Sequence, residues 1–562
     1  MYYQIKPTEM FRERELALMQ EAESRSLLLG RRLDAKREPK ARSTIAAAVV
    51  GSLAALVVAG LMLAASSSPA YAATTPFVVN STLDWADLNP GDGVCDVTAS
   101  PEDTCTLRAA IQEANASPGA DTIEFKIPKF LRDPNAGVAT ISPQSPLPPI
   151  TEQVTIDGYS QRGASLNTKK VGDNAVLKIE LDGTNVPSDN GLTISSSSAS
   201  VIRGLVINRF SEGILVTGDG SVGNRIEGNF IGTDPAGTAD RSNKFDGVGI
   251  VSGASQTVVG GPTPEKRNII SGNDQCGLFI NNSNANRIKG NYVGADKSAT
   301  KDLGNASSGV CIGHASGTTV GGKTAASRNV VSGNDGGGLA IFGSQGTKVL
   351  GNRIGTTASG TDVLGNHFDG VFIGVDTSDT LVGDGTSAGS NTIAFNGLDF
   401  VGHDGVAVDG STGNEISRNS IFSNGGLGID LLKGGAEGEG SSTNISTPND
   451  SGDGDSGPNN LQNKPVLSSA KTVSGTTTIK GELDSNAEQT YTIEFYSNPK
   501  GTNEGKKFIG ETSVTTRRDG LRSFTFTPAK AVAVGQTITA TATNTSTKDT
   551  SEFSAPRKVV AS

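Results

Sequence analysis

Two aspartates and two histidines are the residues of this sequence that are best placed to do chemistry. Asp369 and Asp404 each precede the glycine of a short apolar run, and His367 and His403 lie beside them. If these runs stack as strands of neighbouring coils, the two carboxyl groups lie one coil apart, and paired carboxylates can act as the acid and the base or nucleophile of a glycosidase. Asp-Gly is also a common turn sequence. A turn without catalysis therefore remains the alternative.

A glycine-rich acidic loop is the second candidate for chemistry. Asp450, Asp453 and Asp455 lie within six residues of one another, and carboxylate oxygens are the ligands that calcium prefers. Their spacing does not match the EF-hand loop. The sequence therefore predicts either a calcium site or a solvated linker here, and it indicates no other cofactor.

The four cysteines divide into two pairs. Cys95 and Cys105 close a short loop in a segment predicted to be exported, so we expect a disulfide between them. Strand alternation places Cys276 inside, with Leu278, and Cys311 outside. We therefore expect no disulfide between Cys276 and Cys311.

An internal repeat of 61 to 62 residues must position these groups. The sequence Gly-Asn-Phe-Ile-Gly at residues 228–232 returns as Gly-Asn-Tyr-Val-Gly at residues 290–294 and as Gly-Asn-Arg-Ile-Gly at residues 351–355. Each repeat holds about six short β-branched runs between turn residues, which indicates two coils of three strands. The predicted fold is all-β, a right-handed parallel β-helix with on the order of nine coils between residues 190 and 432.

The repeat also predicts how side chains are used within a coil. Val248 and Ile250 share a strand parity and are expected to point inward. Asn273, Asn334 and Asn396 recur at turns and are expected to stack as amide ladders between coils. Most asparagines are thus predicted to be structural.

A short helix is predicted just after Cys105, because apolar residues follow at helical spacing and a threonine can cap the first turn. Residues 105–111 (Cys-Thr-Leu-Arg-Ala-Ala-Ile) with the upstream 92–95 (Asp-Gly-Val-Cys) resemble the CSLREA domain. This copy has Thr106 and Ala109 where the name-giving motif has serine and glutamate. The resemblance implies an exported bacterial β-helix protein but no reaction. A helix there would cover the open end of the first coil.

Two fragments resemble polygalacturonase motifs. Residues 287–289 (Arg-Ile-Lys) match an Arg-Ile-Lys motif of those enzymes, but they occupy the repeat register of residues 225–227 and 348–350, so repetition explains them. Gly402-His403-Asp404 resembles Gly-His-Gly only faintly. The clustered aspartates expected before these motifs are not evident.

Composition changes along the chain predict the domain organisation. An uncharged apolar run at residues 45–65 follows a basic stretch, which is typical of a signal peptide cleaved after Ala72 or of an uncleaved membrane anchor. Alternating β-branched residues after Pro465 predict antiparallel strands. The predicted segments are a cytoplasmic polar leader helix (1–42), the signal peptide or anchor (43–72), a CSLREA-like cap with the first coils (73–189), the parallel β-helix (190–445), an acidic linker (446–464) and an Ig-like β-sandwich (465–562).

The charge balance of the chain narrows the classes of partner that it could bind. After Ala72 the chain has 38 basic and 51 acidic residues, a net charge of −13, which argues against nucleic-acid binding. We therefore expect an exported cell-surface or secreted protein that acts as a noncatalytic scaffold, adhesion or glycan-binding protein. Its expected partner is an extracellular polysaccharide or an envelope component. The alternative is a polysaccharide-depolymerising enzyme, either a glycoside hydrolase or a lyase of the pectinase-like β-helix type.

Overall fold

The computed structural model of the chain describes residues 75–97, 104–399, 402–432 and 445–561. The predicted leader (1–42) and the apolar segment (43–72) lie outside these residues. No helix in the described part of the chain is long and apolar enough to cross a membrane.

Three parallel sheets, which we name A, B and C, organise the described residues between Phe77 and residue 432. The chain passes through the sheets in turn, for example from Val201–Arg203 in sheet A to Leu205–Asn208 in sheet B and Ile214–Thr217 in sheet C, and then returns to sheet A. Neighbouring strands of each sheet come from successive coils and pair in parallel. This part of the chain is therefore a parallel β-helix, as the repeat predicts.

The strands of each sheet follow in chain order. Sheet A contains Phe77–Val79, Asp121–Phe125, Val154–Asp157, Val201–Arg203, Arg225–Glu227, Val258–Gly260, Arg287–Lys289, Thr319–Gly321, Lys348–Leu350, Leu381–Val382 and Glu415–Ile416. Sheet B contains Ala139–Ile141, Ile179–Asp182, Leu205–Asn208, Phe230–Ile231, Ile269–Ile270, Tyr292–Val293, Val330–Val331, Arg353–Ile354, Thr392–Ala394 and Ser420–Phe422. Sheet C contains Leu192–Ser195, Ile214–Thr217, Val248–Val251, Leu278–Asn281, Val310–Gly313, Leu339–Phe342, Val371–Ile373, Val406–Val408 and Ile429–Leu431. Short 3-10 helices lie at Lys129–Leu131, Gly158–Ser160, Gly183–Asn185, Pro264–Lys266, Ala325–Ser327 and Pro458–Leu461.

The interior of the solenoid is a continuous column of aliphatic side chains. Val248 and Ile250 are fully buried in this column, together with the residues that stack on them in the next coil, Leu278 and Ile280. The predicted inward parity is thereby confirmed. Burying each such side chain contributes about 1.5 to 3 kcal/mol, so the column provides the main stabilisation of an otherwise turn-rich chain.

Buried asparagines link the coils at one turn. The side-chain amide of Asn334 donates to Asn366 Oδ1 at 2.8 Å, and Asn334 Oδ1 accepts from the amide of Asn305 at 2.9 Å. Gly294 adopts a positive φ of 89°, and a Cβ there would collide with Asn334 Oδ1, which explains the glycine at this repeat position. The ladder contains Asn243, Asn273, Asn305, Asn334, Asn366, Asn396 and Asn424.

The N-terminal end of the solenoid carries the predicted helix, α1 (Leu107–Ala116). Thr106 caps it, because its hydroxyl oxygen accepts a hydrogen bond from the Ala109 N–H at 3.1 Å. The expected disulfide between Cys95 and Cys105 is present. The apolar face of α1 belongs to the solenoid core, so the helix covers the first coil.

The expectation of no bond between Cys276 and Cys311 is wrong, since these residues form a second disulfide with Cα atoms 6.2 Å apart. Cys311 stacks on Phe279 of the preceding coil, as its outward parity predicts. Cys276, however, precedes Gly277 and lies in the turn before the strand. The alternation of a strand does not extend into a turn, so the Cys276 side chain turns outward and meets Cys311.

Two four-stranded sheets form the C-terminal part, and a hydrophobic core of their own lies between them. Their antiparallel strands include the runs predicted around Ile479, Ile493, Phe524 and Ile538. One sheet contains Val466–Val473, Thr476–Asp484, Leu521–Phe526 and Val560–Ala561, and the other contains Thr490–Asn498, Lys507–Thr515, Thr537–Asn544 and Arg557–Lys558.

The C-terminal part closes the open end of the solenoid. The last strand of sheet A donates from Ile416 N to Thr550 Oγ1 at 3.0 Å, and the last strand of sheet B donates from Ile421 N to Gly505 O at 3.0 Å. In sheet C, Leu431 N donates to a Glu552 carboxylate oxygen at 3.3 Å. Unpaired strand edges invite association with other chains, and this contact covers all three.

Candidate functional site

The structure brings Asp369, Asp404 and His403 together, as the repeat alignment predicts. His403 Nδ1 lies 3.7 Å from Asp369 Oδ1. The three residues are 4%, 1% and 5% exposed. His367 has its Nδ1 atom 3.8 Å from Asp335 Oδ1. The predicted contact of Asp369 with Asp404 and His403 is thus present, but these three residues are sealed from solvent.

The two aspartates of this cluster make a hydrogen bond that recurs along the solenoid. Asp369 Oδ1 accepts from the backbone N–H of Asp404 in the next coil at 2.6 Å. Asp404 Oδ1 accepts in the same way from Leu427 N. Asp246, four coils before Asp369, accepts from Cys276 N at 3.0 Å. The shared geometry favours the turn interpretation, because it explains the aspartates without a substrate.

Acidic neighbours surround the inner aspartate. Burial, followed by the nearby carboxylates of Asp369 and Asp430, raises the pKa of Asp404 well above its usual value. Burial and the Glu552 carboxylate likewise raise the pKa of Asp430. Lys464 neutralises Glu552 at 3.1 Å. Raised carboxyl pKa values often mark active sites, but here these carboxyl groups lie at the seam between the last coils and the C-terminal part.

The three aspartates of the acidic loop converge. Asp450, Asp453 and Asp455 each have a carboxylate oxygen within 4.8 Å of the others. Asp450 Oδ1 is buried and accepts no hydrogen bond, whereas Asp450 Oδ2 accepts from Gly454 N at 3.0 Å. This is the arrangement expected of a loop that could hold a hard cation through oxygen ligands.

The middle aspartate of the loop has a fixed position. Its two oxygens accept from Asn463 N at 2.9 Å and from the Gln462 side chain at 2.8 Å, and Ser485 donates to it as well. Burial raises the pKa of Asp453 to about 6. The loop is therefore anchored to the start of the C-terminal sheets, with Asp450 and Asp455 as its remaining carboxylates.

The structure also contains an open cavity that the sequence did not reveal. A groove of about 550 Å³ lies on the outer face of sheet B, and we name it the arginine groove. Its floor includes Tyr292, Val330 and Arg353 from three successive strands, a span of roughly 10 Å along the solenoid. Its lining comprises Lys170, Val171, Pro262, Pro264, Arg267, Tyr292, Ala325, Ala326, Arg328, Val330, Arg353 and Ala358.

At one end of the arginine groove, the arginine makes its contacts within the chain itself. The Arg267 guanidinium lies 4.4 Å from the centre of the Tyr292 ring, a cation–π contact. It donates to the backbone carbonyls of Lys169, Lys170 and Gly172 at 2.6 to 3.1 Å. Arg267 therefore holds the wall segment of residues 169–172 in place, and with its Nε bond to Gly290 O it uses four of its five N–H donors.

The other end holds two half-buried arginines without a carboxylate. Arg328 donates from Nε to Gly351 O at 2.8 Å, and no ion pair to Arg328 or Arg353 exists among the described residues. Burial lowers the pKa of both guanidiniums, and the Arg328 charge lowers that of Arg353 further. This end of the groove concentrates positive charge in an otherwise acidic chain.

Sequence reasoning missed the arginine groove although its residues lie in the repeat markers. Arg267 and Arg328 occupy one repeat position, and Tyr292 and Arg353 occupy another. The change from Tyr292 to Arg353 at equivalent repeat positions was the sequence signal that could have indicated the groove. Its significance depends on side chains about 25 residues apart meeting across two coils.

Comparisons with known proteins give structural likeness only. No family model matches the chain, and no curated protein matches it, so the CSLREA resemblance rests on its residues alone. The solenoid is similar to the A-module of the Azotobacter vinelandii mannuronan C-5 epimerase AlgE4 at 14% identity, with 64% of this chain and 97% of that chain covered and a TM-score of 0.32. It is similar to a mutant of the periplasmic alginate epimerase AlgG at 13% identity, with coverage of 53% and 66% and a TM-score of 0.28. It is also similar to tailspike protein gp49 of the Acinetobacter baumannii bacteriophage Fri1, a capsular polysaccharide depolymerase, at 9% identity, with coverage of 79% and 78% and a TM-score of 0.22. No activity is transferred from these proteins at such scores.

Proposed function

We propose that this chain is an exported, noncatalytic protein that binds an extracellular polysaccharide in the arginine groove. The observation that carries the proposal is the accessibility of this groove beside the burial of the Asp369 and Asp404 carboxyl groups. A groove that follows stacked coils suits a linear polymer, which can lie along the solenoid axis. The two disulfides fit an oxidising, extracytoplasmic compartment.

The same proposal assigns roles to the flanking segments. Residues 43–72 would export the chain as a signal peptide or retain it as a membrane anchor. Residues 73–189 would form a CSLREA-like cap with the first coils of a right-handed solenoid, supported by α1 and its neighbouring disulfide. Residues 465–562 would form an Ig-like sandwich, supported by the two sheets and their shared core.

A polysaccharide-depolymerising enzyme is the second candidate, and one observation favours it. The groove places the Tyr292 phenol beside guanidinium groups, so a proton-transferring group lies next to cations that could stabilise negative charge. Burial raises the pKa of Tyr292, which keeps the phenol protonated and makes it a poor base. Binding without catalysis therefore ranks first.

A matched pair of substitutions tests whether the groove is the binding site. Ala326 lines the groove, and Ala388 occupies the equivalent position one repeat later, outside it. Ala326→Trp would fill the groove, whereas Ala388→Trp adds the same bulk elsewhere. The full chain and both variants would be run by affinity electrophoresis against a panel of acidic and neutral polysaccharides.

Retardation of the parent chain by at least one polymer, lost in Ala326→Trp and kept in Ala388→Trp, is the expected result. Equal retardation of both variants would refute the groove as the site. New reducing ends or unsaturated uronate absorbance, abolished by Tyr292→Phe, would establish the enzymatic candidate instead.

A further inference from the structure

The arginine groove contains two repeat-equivalent pairs of residues that behave differently. In the first pair, Arg267 stacks on Tyr292 and donates three hydrogen bonds to backbone carbonyls of the wall segment 169–172. In the second pair, Arg353 replaces the tyrosine, so Arg328 faces another cation. The hydrogen bond from the arginine Nε to a glycine carbonyl is kept in both, to Gly290 O at 3.2 Å and Gly351 O at 2.8 Å. The scaffold is therefore the same, and only the chemistry of the exposed end has changed.

Two neighbouring guanidiniums repel each other unless an anion lies between them. Arg328 and Arg353 are half-buried, and no described carboxylate forms an ion pair with either of them. Other cations of the solenoid surface have such partners, for example Arg203 with Asp157 at 2.7 Å. The groove thus holds a preformed cationic site whose counter-ion is not part of the described chain.

From this pair we infer that Arg328 and Arg353 bind the negatively charged group of an acidic sugar unit, a carboxylate, in the polysaccharide that occupies the groove. The inference rests on the proposed function and specifies its substrate class. A guanidinium presents two parallel N–H donors that match the two oxygens of a carboxylate. The Pro262, Ala325 and Ala326 surfaces nearby offer apolar contact for the carbon face of the ring.

The net acidity of the chain sharpens this inference. With a net charge of −13 after Ala72, the surface as a whole repels polyanions at long range. Binding of an acidic polymer must therefore depend on local contacts in the groove rather than on a general field. Removing one of the two guanidiniums should affect binding far more than removing an arginine elsewhere.

Three substitutions and one control separate recognition from folding. Arg328→Gln and Arg353→Gln remove the charges singly. Arg353→Tyr recreates the Arg267–Tyr292 pair of the preceding repeat, so it should fold with an unfolding temperature no lower than that of the parent. Arg287→Gln removes an exposed arginine from the outer face of sheet A and is the matched control.

The probes are oligogalacturonate and oligoalginate, their carboxyl-reduced neutral counterparts, and a sulfated dextran oligosaccharide, each titrated calorimetrically into the full chain. We expect an acidic oligosaccharide to bind and its reduced counterpart to bind at least tenfold more weakly. We also expect Arg328→Gln and Arg353→Tyr each to weaken the acidic ligand roughly tenfold or more, since each removes a charge-assisted hydrogen bond, while Arg287→Gln has no effect.

The possible failures are distinguishable. If neutral and acidic polymers bind equally and Ala326→Trp still blocks both, the groove binds polysaccharide and the acidic-sugar inference alone is refuted. If the sulfated ligand binds more tightly than every uronate, the carboxylate assignment is refuted. If nothing binds to the folded chain, the proposed function and this inference fall together.

Discussion

Adding calcium at neutral pH is expected to raise the unfolding temperature of this chain. Asp450 Oδ1 is a buried oxygen that accepts no hydrogen bond, and the carboxylates of Asp453 and Asp455 lie within 4.8 Å of Asp450. A bound Ca²⁺ would satisfy that oxygen and relieve the mutual repulsion of the three charges. The loop would then be held more firmly against the C-terminal sheets.

The size of the effect follows from linkage. Calcium sites of extracellular modules have dissociation constants of about 0.1 to 1 mM, so about 10 mM calcium stabilises the folded chain by about 1.5 to 3 kcal/mol. The compact unit spans roughly 490 residues, for which 1 kcal/mol corresponds to a shift of about 1 °C. The expected rise is therefore about 1 to 3 °C by differential scanning calorimetry.

The acidity of one ligand predicts how this shift depends on pH. Burial raises the pKa of Asp453 to about 6, and a proton on that carboxyl competes with the metal. The calcium-induced shift should thus be full at neutral pH and fall as the pH drops through about 6.

Charge-removing variants test the assignment of the ligands. Asp450→Asn and Asp455→Asn should each abolish the shift, and Asp219→Asn, at an exposed position on the solenoid, should retain it. An unchanged unfolding temperature in calcium, or an equal shift in all variants, would refute the calcium site and leave a solvated linker.

Three further results are expected. Asn334→Ala should destabilise the chain by about 3 kcal/mol in chemical denaturation, because it breaks two buried amide hydrogen bonds of 2.8 and 2.9 Å; a loss below about 1 kcal/mol would show that the ladder contributes little. Burial, and then the Glu552 carboxylate, raises the pKa of Asp430. Its protonated form therefore contributes stability that is complete below the ordinary aspartate pKa of about 3.9, and this contribution should be lost as the pH rises through the raised pKa. Asp430→Asn should therefore flatten the loss of stability toward alkaline pH, and an unaltered pH profile would contradict this. Replacing Cys276 and Cys311 by serine should lower stability by about 4 kcal/mol, given their separation of 35 residues, and the parent and the double variant should be equally stable once both are reduced, because reduction also opens Cys95–Cys105.

The solenoid could be predicted from the sequence because the residues that determine it recur locally, within each repeat. A glycine with positive φ, such as Gly294, and a turn asparagine, such as Asn334, recur at one spacing and need each other physically, since the glycine leaves room for the amide. Strand parity likewise predicted that Val248 and Ile250 are buried. The same parity failed for Cys276, because that residue lies in a turn, where alternation stops applying.

The candidate catalytic cluster shows where sequence reasoning reaches its limit. Repeat alignment placed Asp369 and Asp404 in neighbouring coils, which is where the structure has them. Whether a carboxyl group reaches solvent depends on residues distant in the chain, here Asp430 and Glu552 from the last coil and the C-terminal part. Spacing alone can bring two carboxylates together, but it cannot reveal what covers them.

The arginine groove suggests how a solenoid of this kind acquires a site. Tyr292 and Arg353 stand at equivalent positions, so the backbone does not distinguish them, and the difference in function must come from what each meets. Arg267 donates hydrogen bonds to carbonyls about 95 residues upstream in the chain, whereas the hydrogen bond described for Arg328 goes to Gly351 O and not to that wall segment. One loop and one substitution are thus sufficient to turn a structural arginine into half of a half-buried cation pair. Binding sites should therefore be sought at repeat positions where a pair of side chains loses its partners from one repeat to the next. Positions that keep the same hydrogen bond in each repeat, such as Asp246 and Asp369, are not candidates.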